Sequence, residues 1–311
     1  MSARSEEVEV AGGVALSVHR WEGTGVAFLL VHGLASNLHL WDGVAEALAG
    51  DGHPVASVDL RGHGTSAKPE EGYDFTTLTD DLRSVLDAVG FDRAVVAGQS
   101  MGANVALELA WRFPDRVRGV ACIDGGWIEL SGRFPDWESC AAALAPPTTA
   151  GRPMVEIEAM LRRHHPHWPD SGIQGALACF ERRPDGTVAP WLTLERHFTL
   201  LRAMWGHRPS TRYPEVTVPV LLVPAGDGSV AGRARDKIEA AAAALPRNHV
   251  HWMAGDHDLH AQHPTAVATL LASFAHFAAS ASPAGAPPAS LPASDGRIGT
   301  FLARSDHQLG G

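Results

Sequence analysis

Cysteine is scarce in this chain of 311 residues, which contains three: Cys122, Cys140 and Cys179. Their odd number and wide spacing form neither a CxxC pair nor a disulfide framework, so a disulfide-stapled secreted scaffold is excluded. A reducing, cytoplasmic environment is expected instead. The first ten residues, MSARSEEVEV, are acidic and lack the basic start and apolar stretch of a signal peptide.

Basic residues and long apolar runs are also few. The chain has 25 Lys and Arg against 35 Asp and Glu, a net charge of −10. Because binding to phosphates needs clustered Lys and Arg, no nucleic-acid partner is expected. The longest apolar runs, 26–31 and 218–225, are much shorter than the ~20 residues of a membrane helix, so no membrane partner is expected either. Composition leaves the oligomeric state open.

Short apolar runs alternate with amphipathic stretches along most of the chain. Residues 6–10 and 14–21 alternate in hydrophobicity around a Gly-Gly pair, which predicts an antiparallel hairpin. Continuous apolar runs typical of buried parallel strands span 26–31, 55–60, 94–97, 117–123, 218–223 and 249–253. Helical periodicity appears at 38–49, 76–89, 102–112, 233–245 and 265–278. This order predicts an α/β fold with a mostly parallel, doubly wound sheet and an N-terminal antiparallel hairpin.

The alternation stops between residues 127 and 214. This interval shows no convincing buried strand, but helical patterns occur at 154–165, 172–182 and 192–205. It is too long for a plain loop and predicts an inserted helical cap. Residues 1–126 and 215–280 would then form the core. Residues 281–311 begin with a Pro-, Ala- and Ser-rich stretch, which predicts a flexible or disordered tail.

The strongest chemical signal is the segment Gly98-Gln99-Ser100-Met101-Gly102. It follows a predicted strand and opens a predicted helix. Glycines two residues before and after the serine relieve the backbone crowding of a sharp strand-to-helix turn. Such a turn lifts the Ser100 hydroxyl above the sheet at the positive end of a helix, which suits a nucleophile.

Two further segments add to this pattern. His32-Gly33-Leu34 follows the first central strand, and Asp59-Leu60-Arg61-Gly62-His63-Gly64-Thr65-Ser66 follows the next. Together with the serine turn they resemble the α/β-hydrolase superfamily over about residues 6–280. The resemblance implies an oxyanion hole formed by the backbone N–H groups of Leu34 and Met101. We interpret His32 as a turn-stabilising residue and the 59–66 loop as structural.

A serine nucleophile needs a base, and the base needs an acid to orient it. In the family that the chain resembles, these follow the serine in the order acid, then histidine. Asp227 ends the apolar run 220–225 and is the preferred acid, with Asp124, which also ends a core strand, as the alternative. His257 follows the last predicted strand and is the preferred base; His260 is the alternative.

These residues predict a serine hydrolase that cleaves an ester, thioester or lactone-type substrate with an apolar portion. Carbon–carbon bond hydrolases and cofactor-free perhydrolases share the triad and remain alternatives, as does a non-hydrolysing ligand-binding member of the fold. Epoxide hydrolases and haloalkane dehalogenases carry an aspartate where Ser100 stands. A small-molecule substrate is the expected partner, and no cofactor is expected.

Five of the nine tryptophans lie in the predicted cap, 127–214. Four cap tryptophans are candidates for the substrate pocket: Trp137, Trp168, Trp191 and Trp205. Two histidine groups, 164–167 and 257–263, raise the question of a metal. The first is interrupted by a proline and the second contains the expected base, so no catalytic metal is expected.

Overall fold

The N-terminal hairpin forms the edge of a large sheet. The structure, a computed structural model, describes residues 3–228 and 233–280, so the tail predicted at 281–311 lies outside the described residues. Strands β1 (Arg4–Val10) and β2 (Val14–Trp21) pair antiparallel, with Val10 opposite Val14. Leu16 and Val18, two residues apart on β2, are fully buried, in agreement with the alternation in the sequence.

Most of the regular elements fall where the hydrophobic pattern puts them. The remaining strands are β3 (Phe28–Val31), β4 (Val55–Val58), β5 (Ala94–Gln99), β6 (Val117–Ile123), β7 (Phe180–Arg182), β8 (Val188–Pro190), β9 (Val220–Val223) and β10 (Asn248–Val250). The helices are α1 (Asp42–Gly50), α2 (Phe75–Ala88), α3 (Met101–Arg112), α4 (Trp137–Ala143), α5 (Met154–His164), α6 (Asp170–Leu177), α7 (Leu194–Gly206), α8 (Arg233–Ala244), α9 (Leu259–Gln262) and α10 (Pro264–Ser280).

Eight strands form one sheet in the order β1-β2-β4-β3-β5-β6-β9-β10. Within this sheet, neighbouring strands are parallel along the order β4-β3-β5-β6-β9-β10. The two pairs that involve β2, with β1 and with β4, are antiparallel. Helices α1 and α10 cover one face, and α2 and α3 cover the other. The predicted fold class is therefore confirmed. Within residues 3–228 and 233–280, no helix is both long and apolar enough to cross a membrane.

The interval 127–214 contains α4 to α7 and one short antiparallel hairpin, β7–β8. The helix predicted at 172–182 ends at Leu177, and the chain turns into β7. The reason is an Asp-Gly turn: Gly186 adopts φ 82°, and Asp185 Oδ1 accepts the Thr187 N–H at 2.9 Å. Helix α4 was not predicted. The division into a core and a cap stays a prediction.

The 59–66 loop joins the core to the segment that follows β3. Asp59 accepts the Leu38 N–H at 2.8 Å and the Thr65 N–H at 2.9 Å through its two carboxylate oxygens. Arg61 forms a buried bidentate pair with Asp81 of α2, at 2.6 and 2.7 Å. Both side chains thus hold the loop in place, in agreement with the structural role expected for it.

Removing one partner of this buried pair leaves a charge without compensation. We expect Asp81→Asn to lower the free energy of unfolding by about 3–5 kcal/mol, measured by urea denaturation. Asp87→Asn on the same helix is the matched control, since Asp87 is half exposed and pairs at the surface with Arg83 and Arg116. That control should cost about 0–1 kcal/mol. Equal losses in the two variants would contradict a stabilising role for the Arg61–Asp81 pair.

Candidate active site

Ser100 lies in the turn between β5 and α3 with a strained backbone, φ 54° and ψ −119°. The Ser100 N–H donates to the Ile123 carbonyl at 3.0 Å, which ties the turn to β6. A methyl group on Gly98 would overlap the backbone of Gly102, and one on Gly102 would overlap the carbonyl oxygens of Val31 and His32. Both glycines are therefore required by close backbone approach, as the sequence pattern predicts.

The segment after β3 packs directly against this turn. A methyl group on Gly33 would lie 3.1 Å from the Cβ of Ser100. Leu34 and Ser100 line the same pocket, and Met101 is the first residue of α3, where an N–H has no acceptor within its own helix. Of the two expected oxyanion donors, the Met101 N–H therefore follows Ser100 directly in the chain, and the Leu34 N–H belongs to the loop after β3.

His32 holds the peptide that carries one of these donors. Its Nδ1 lies 2.8 Å from the Gly33 carbonyl, and its Nε2 lies 3.0 Å from the Leu60 N–H. Burial lowers the pKa of His32 to about 4, so the ring is neutral and donates through Nδ1. The Gly33 C=O and the Leu34 N–H belong to one planar peptide and point in opposite directions. Fixing the carbonyl therefore also fixes the direction of the Leu34 N–H.

A second buried histidine, His63, supports the same turn and was not singled out by the sequence. Its Nε2 accepts the Ala35 N–H at 3.3 Å, and its Nδ1 lies 3.1 Å from the Arg61 carbonyl. Burial lowers its pKa to about 3, which keeps it neutral. Ala35 has a left-handed backbone, φ 57°, and this bond helps to hold it there. Through His63, the 59–66 loop thus stabilises the turn after β3 that carries Leu34, one of the two expected oxyanion donors.

The acid beside His257 is Asp124. His257 Nδ1 lies 2.5 Å from Asp124 Oδ2, and Asp124 Oδ1 accepts the Ala225 N–H at 3.1 Å. Asp227, the preferred acid, lies on the loop after β9 with an exposed side chain. An imidazole Nδ1 donates one hydrogen bond, and Asp124 is placed to accept it. Asp124, the alternative acid, is therefore the aspartate that we assign to the proposed triad below.

His257 is held at the mouth of the site by its neighbours. The hydrogen bond to Asp124 raises its pKa above the usual value, against an opposing effect of burial. Its carbonyl accepts a hydrogen bond from Gln99 Nε2 at 3.1 Å, which links it to the serine turn. His260, the alternative base, is fully buried against Trp41, with ring centroids 4.4 Å apart. In the part of the chain that the structure describes, neither of its ring nitrogens has a hydrogen-bond partner.

A pocket of about 570 Å³ opens over Ser100 and His257. Trp168 and Trp191 line it, whereas Trp137 and Trp205 are not among its lining residues. Those two meet edge to face, with centroids 6.2 Å apart, and pack against the main core. Two of the four candidate tryptophans are therefore placed to contact a ligand, and helical periodicity alone could not separate them from the other two.

In the first of the two histidine groups noted in the sequence, two members form contacts within the protein. His164 Nδ1 lies 2.8 Å from the Met160 carbonyl, and His165 Nδ1 lies 3.3 Å from Asp256. Over residues 3–228 and 233–280, neither group brings three ligand atoms to within metal-binding distance of one another.

Comparison with known proteins gives consistent matches. Residues 26–148 match the family model described as alpha/beta hydrolase fold. The chain is 30% identical over 226 residues to 2-(acetamidomethylene)succinate hydrolase of Mesorhizobium japonicum. This match covers 70% of this chain and 76% of that protein. The crystal structure of an E-2-(acetamidomethylene)succinate hydrolase matches with a TM-score of 0.72 at 25% identity, covering 88% of this chain and 98% of that one.

A shorter match is to an epoxide hydrolase. Epoxide hydrolase B of Mycobacterium tuberculosis is 39% identical over 111 residues, 35% of this chain. The chain matches only 30% of the length of that relative. This likeness therefore supports a shared fold and leaves the reaction open.

The contact between Asp124 and His257 can be tested without measuring activity. We expect NMR titration to give His257 a pKa above 6.5, with its resonance assigned by its loss in His257→Gln. Asp124→Asn should lower this pKa, because the largest effect that raises it is removed while burial remains. Asp227→Asn is the matched control and should leave the pKa unchanged. A fall in Asp227→Asn and none in Asp124→Asn would return the acid to Asp227.

Proposed function

This chain belongs to the α/β-hydrolase superfamily and is a hydrolase, and we propose that it acts through a Ser100–His257–Asp124 triad. The observation that carries the proposal is the placement of three features around one pocket. Ser100 occupies a strained turn at the N-terminus of α3, His257 faces the same pocket, and Asp124 accepts a hydrogen bond from His257. This is the arrangement that activates a serine hydroxyl.

In the proposed reaction, His257 removes the proton from the Ser100 hydroxyl as its oxygen attacks the substrate carbonyl. Asp124 keeps the imidazole in the tautomer that accepts at Nε2 and stabilises the imidazolium. The N–H groups of Leu34 and Met101 bind the oxygen on which negative charge develops. His257 then protonates the leaving group, and water, activated by the same base, releases the acyl group from Ser100.

The lining of the pocket favours a substrate whose acyl part is apolar and uncharged. Apolar side chains such as Leu161, Trp168 and Phe180 form much of the wall. The described residues that line it include neither Lys nor Arg, and they do include the acidic residue Asp258. A carboxylate on the substrate would therefore meet no Lys or Arg side chain there and would lie in the same pocket as the acidic Asp258. We therefore propose a neutral ester, thioester or lactone.

This substrate class differs from the one that the name of the relative indicates. The succinate in 2-(acetamidomethylene)succinate carries two carboxylates, which need cationic or strong hydrogen-bond donors in a binding pocket. The reaction of epoxide hydrolases is not proposed for this chain either. Its turn between β5 and α3 carries Ser100, where those enzymes carry an aspartate. The proposed reaction therefore follows the site of this chain and not the substrates of its relatives.

The triad predicts two graded losses of activity. Ser100→Ala should abolish both labelling by a fluorophosphonate probe and hydrolysis of p-nitrophenyl butyrate, with an unchanged circular dichroism spectrum. Asp124→Asn should reduce kcat by about 10⁴-fold through loss of tautomer control. Asp227→Asn, the control, should cost far less. Wild-type labelling in Ser100→Ala would show that another residue is the nucleophile.

The charge of the pocket predicts discrimination between neutral and anionic esters. We expect kcat/KM for p-nitrophenyl butyrate to exceed that for p-nitrophenyl hemisuccinate, which has a similar length and a terminal carboxylate. Asp258→Asn should narrow this ratio by about 10-fold, since it removes one like charge from a partly desolvated site. Glu46→Gln, which removes an exposed acid of α1 outside the pocket lining, is the control. A preference for the hemisuccinate in the wild type would refute the neutral substrate class.

A further inference from the structure

A group of three side chains that are not among the lining residues of the pocket has the composition of a metal site. In the described ranges 3–228 and 233–280, His19, His39 and Asp42 bring their ligand atoms to within 4.8 Å of one another. His19 lies on β2, His39 in the short 3₁₀ turn Leu38–Trp41, and Asp42 at the first position of α1. No sequence motif joins these residues, because β2 is separated from the other two by β3 and its loop.

The spacing of these atoms suits ligands of one ion. His39 Nδ1 lies 2.8 Å from Asp42 Oδ2, a hydrogen bond that a bound ion would replace, and His19 Nδ1 lies 3.8 Å from Asp42 Oδ1. Bonds of about 2.0–2.2 Å to a tetrahedral zinc ion place ligand atoms roughly 3.3 Å apart, between these two values. The two imidazole rings meet at 85° with centroids 4.7 Å apart, so their nitrogens converge on the carboxylate from different directions.

An unsatisfied oxygen gives independent support. Asp42 Oδ1 is buried and has no hydrogen-bond partner among the residues that the structure describes. A buried carboxylate oxygen without a partner is unfavourable and needs an explanation. The 3.8 Å gap to His19 is too long for a hydrogen bond and leaves space for a cation between the two atoms. His39 is 40% exposed, so an ion can reach this position from solvent.

We propose that His19, His39 and Asp42 form a zinc-binding site, with water completing the tetrahedron. Two imidazole nitrogens and one carboxylate oxygen suit Zn²⁺, whereas Mg²⁺ and Ca²⁺ prefer ligand sets made only of oxygen. The proposal is independent of the triad and assigns the metal no catalytic step.

The position of the site indicates a structural role. The 3₁₀ turn that carries His39 begins after Asn37, whose side chain donates to the Gly175 carbonyl of α6 at 2.8 Å. Leu40, one residue beyond His39, lines the substrate pocket. A zinc ion would tie this turn to β2 and to the start of α1. It would thereby stabilise the segment on which α6 rests.

The test uses the full-length chain without an affinity tag, stripped of metal with EDTA. Titration calorimetry with ZnCl₂ should show one high-affinity site per chain, and the melting temperature should rise with zinc concentration. Co²⁺ in place of Zn²⁺ should give the strong visible absorption of four-coordinate cobalt. Mg²⁺ should produce neither effect.

Variants identify the ligands. His19→Asn, His39→Asn and Asp42→Asn should each weaken zinc binding by at least about 10-fold and remove the cobalt absorption. His164→Asn, which alters an exposed histidine outside the group, is the matched control. Circular dichroism and p-nitrophenyl butyrate hydrolysis verify that each variant is folded. No stoichiometric site in the wild type would overturn the proposal, as would a site that survives both His19→Asn and His39→Asn.

Discussion

The site depends on one steric constraint, the close approach of the β5–α3 turn to the end of β3. Gly102 lies against the carbonyl oxygens of Val31 and His32 with no room for a side chain, and Gly98 lies against Gly102 itself. This contact lets α3 start directly above the sheet with Ser100 in a strained conformation. It also brings the loop after β3 beside the serine. Ser100 and the proposed oxyanion donors, Leu34 and Met101, therefore come into place through the same contact.

Two neutral histidines extend this constraint into the neighbouring loops. His32 connects the Gly33 carbonyl with the Leu60 N–H, and His63 connects Ala35 with the Arg61 carbonyl. An imidazole suits this role because its neutral form has one donor and one acceptor on opposite sides of the ring. Burial keeps both in that form. The loop at 59–66 thus acts on the catalytic turn through hydrogen bonds while remaining outside the pocket.

The sequence predicted strands, helices and the serine turn because hydrophobic period and backbone crowding are local properties. The choice between Asp124 and Asp227 is not local. Strands β6 and β9 are adjacent and parallel, so both aspartates follow strands that end at the same edge of the sheet. Only the course of the chain after each strand decides which carboxylate reaches His257. The same limit applies to the tryptophans, since periodicity gives a buried face without saying whether it meets the core or a cavity.

One aspartate connects the interval 127–214 with the loop that carries His257 by hydrogen bonds. Asp256, next to His257 in the chain, accepts a hydrogen bond from the pocket residue Trp168 at 2.8 Å through one carboxylate oxygen. Its other oxygen accepts the Asp258 N–H at 3.0 Å. A shift of Trp168 therefore strains the loop that carries the base. Because one carboxylate bonds both a residue of the pocket wall and the backbone next to His257, the packing of that wall helps to set the position of His257.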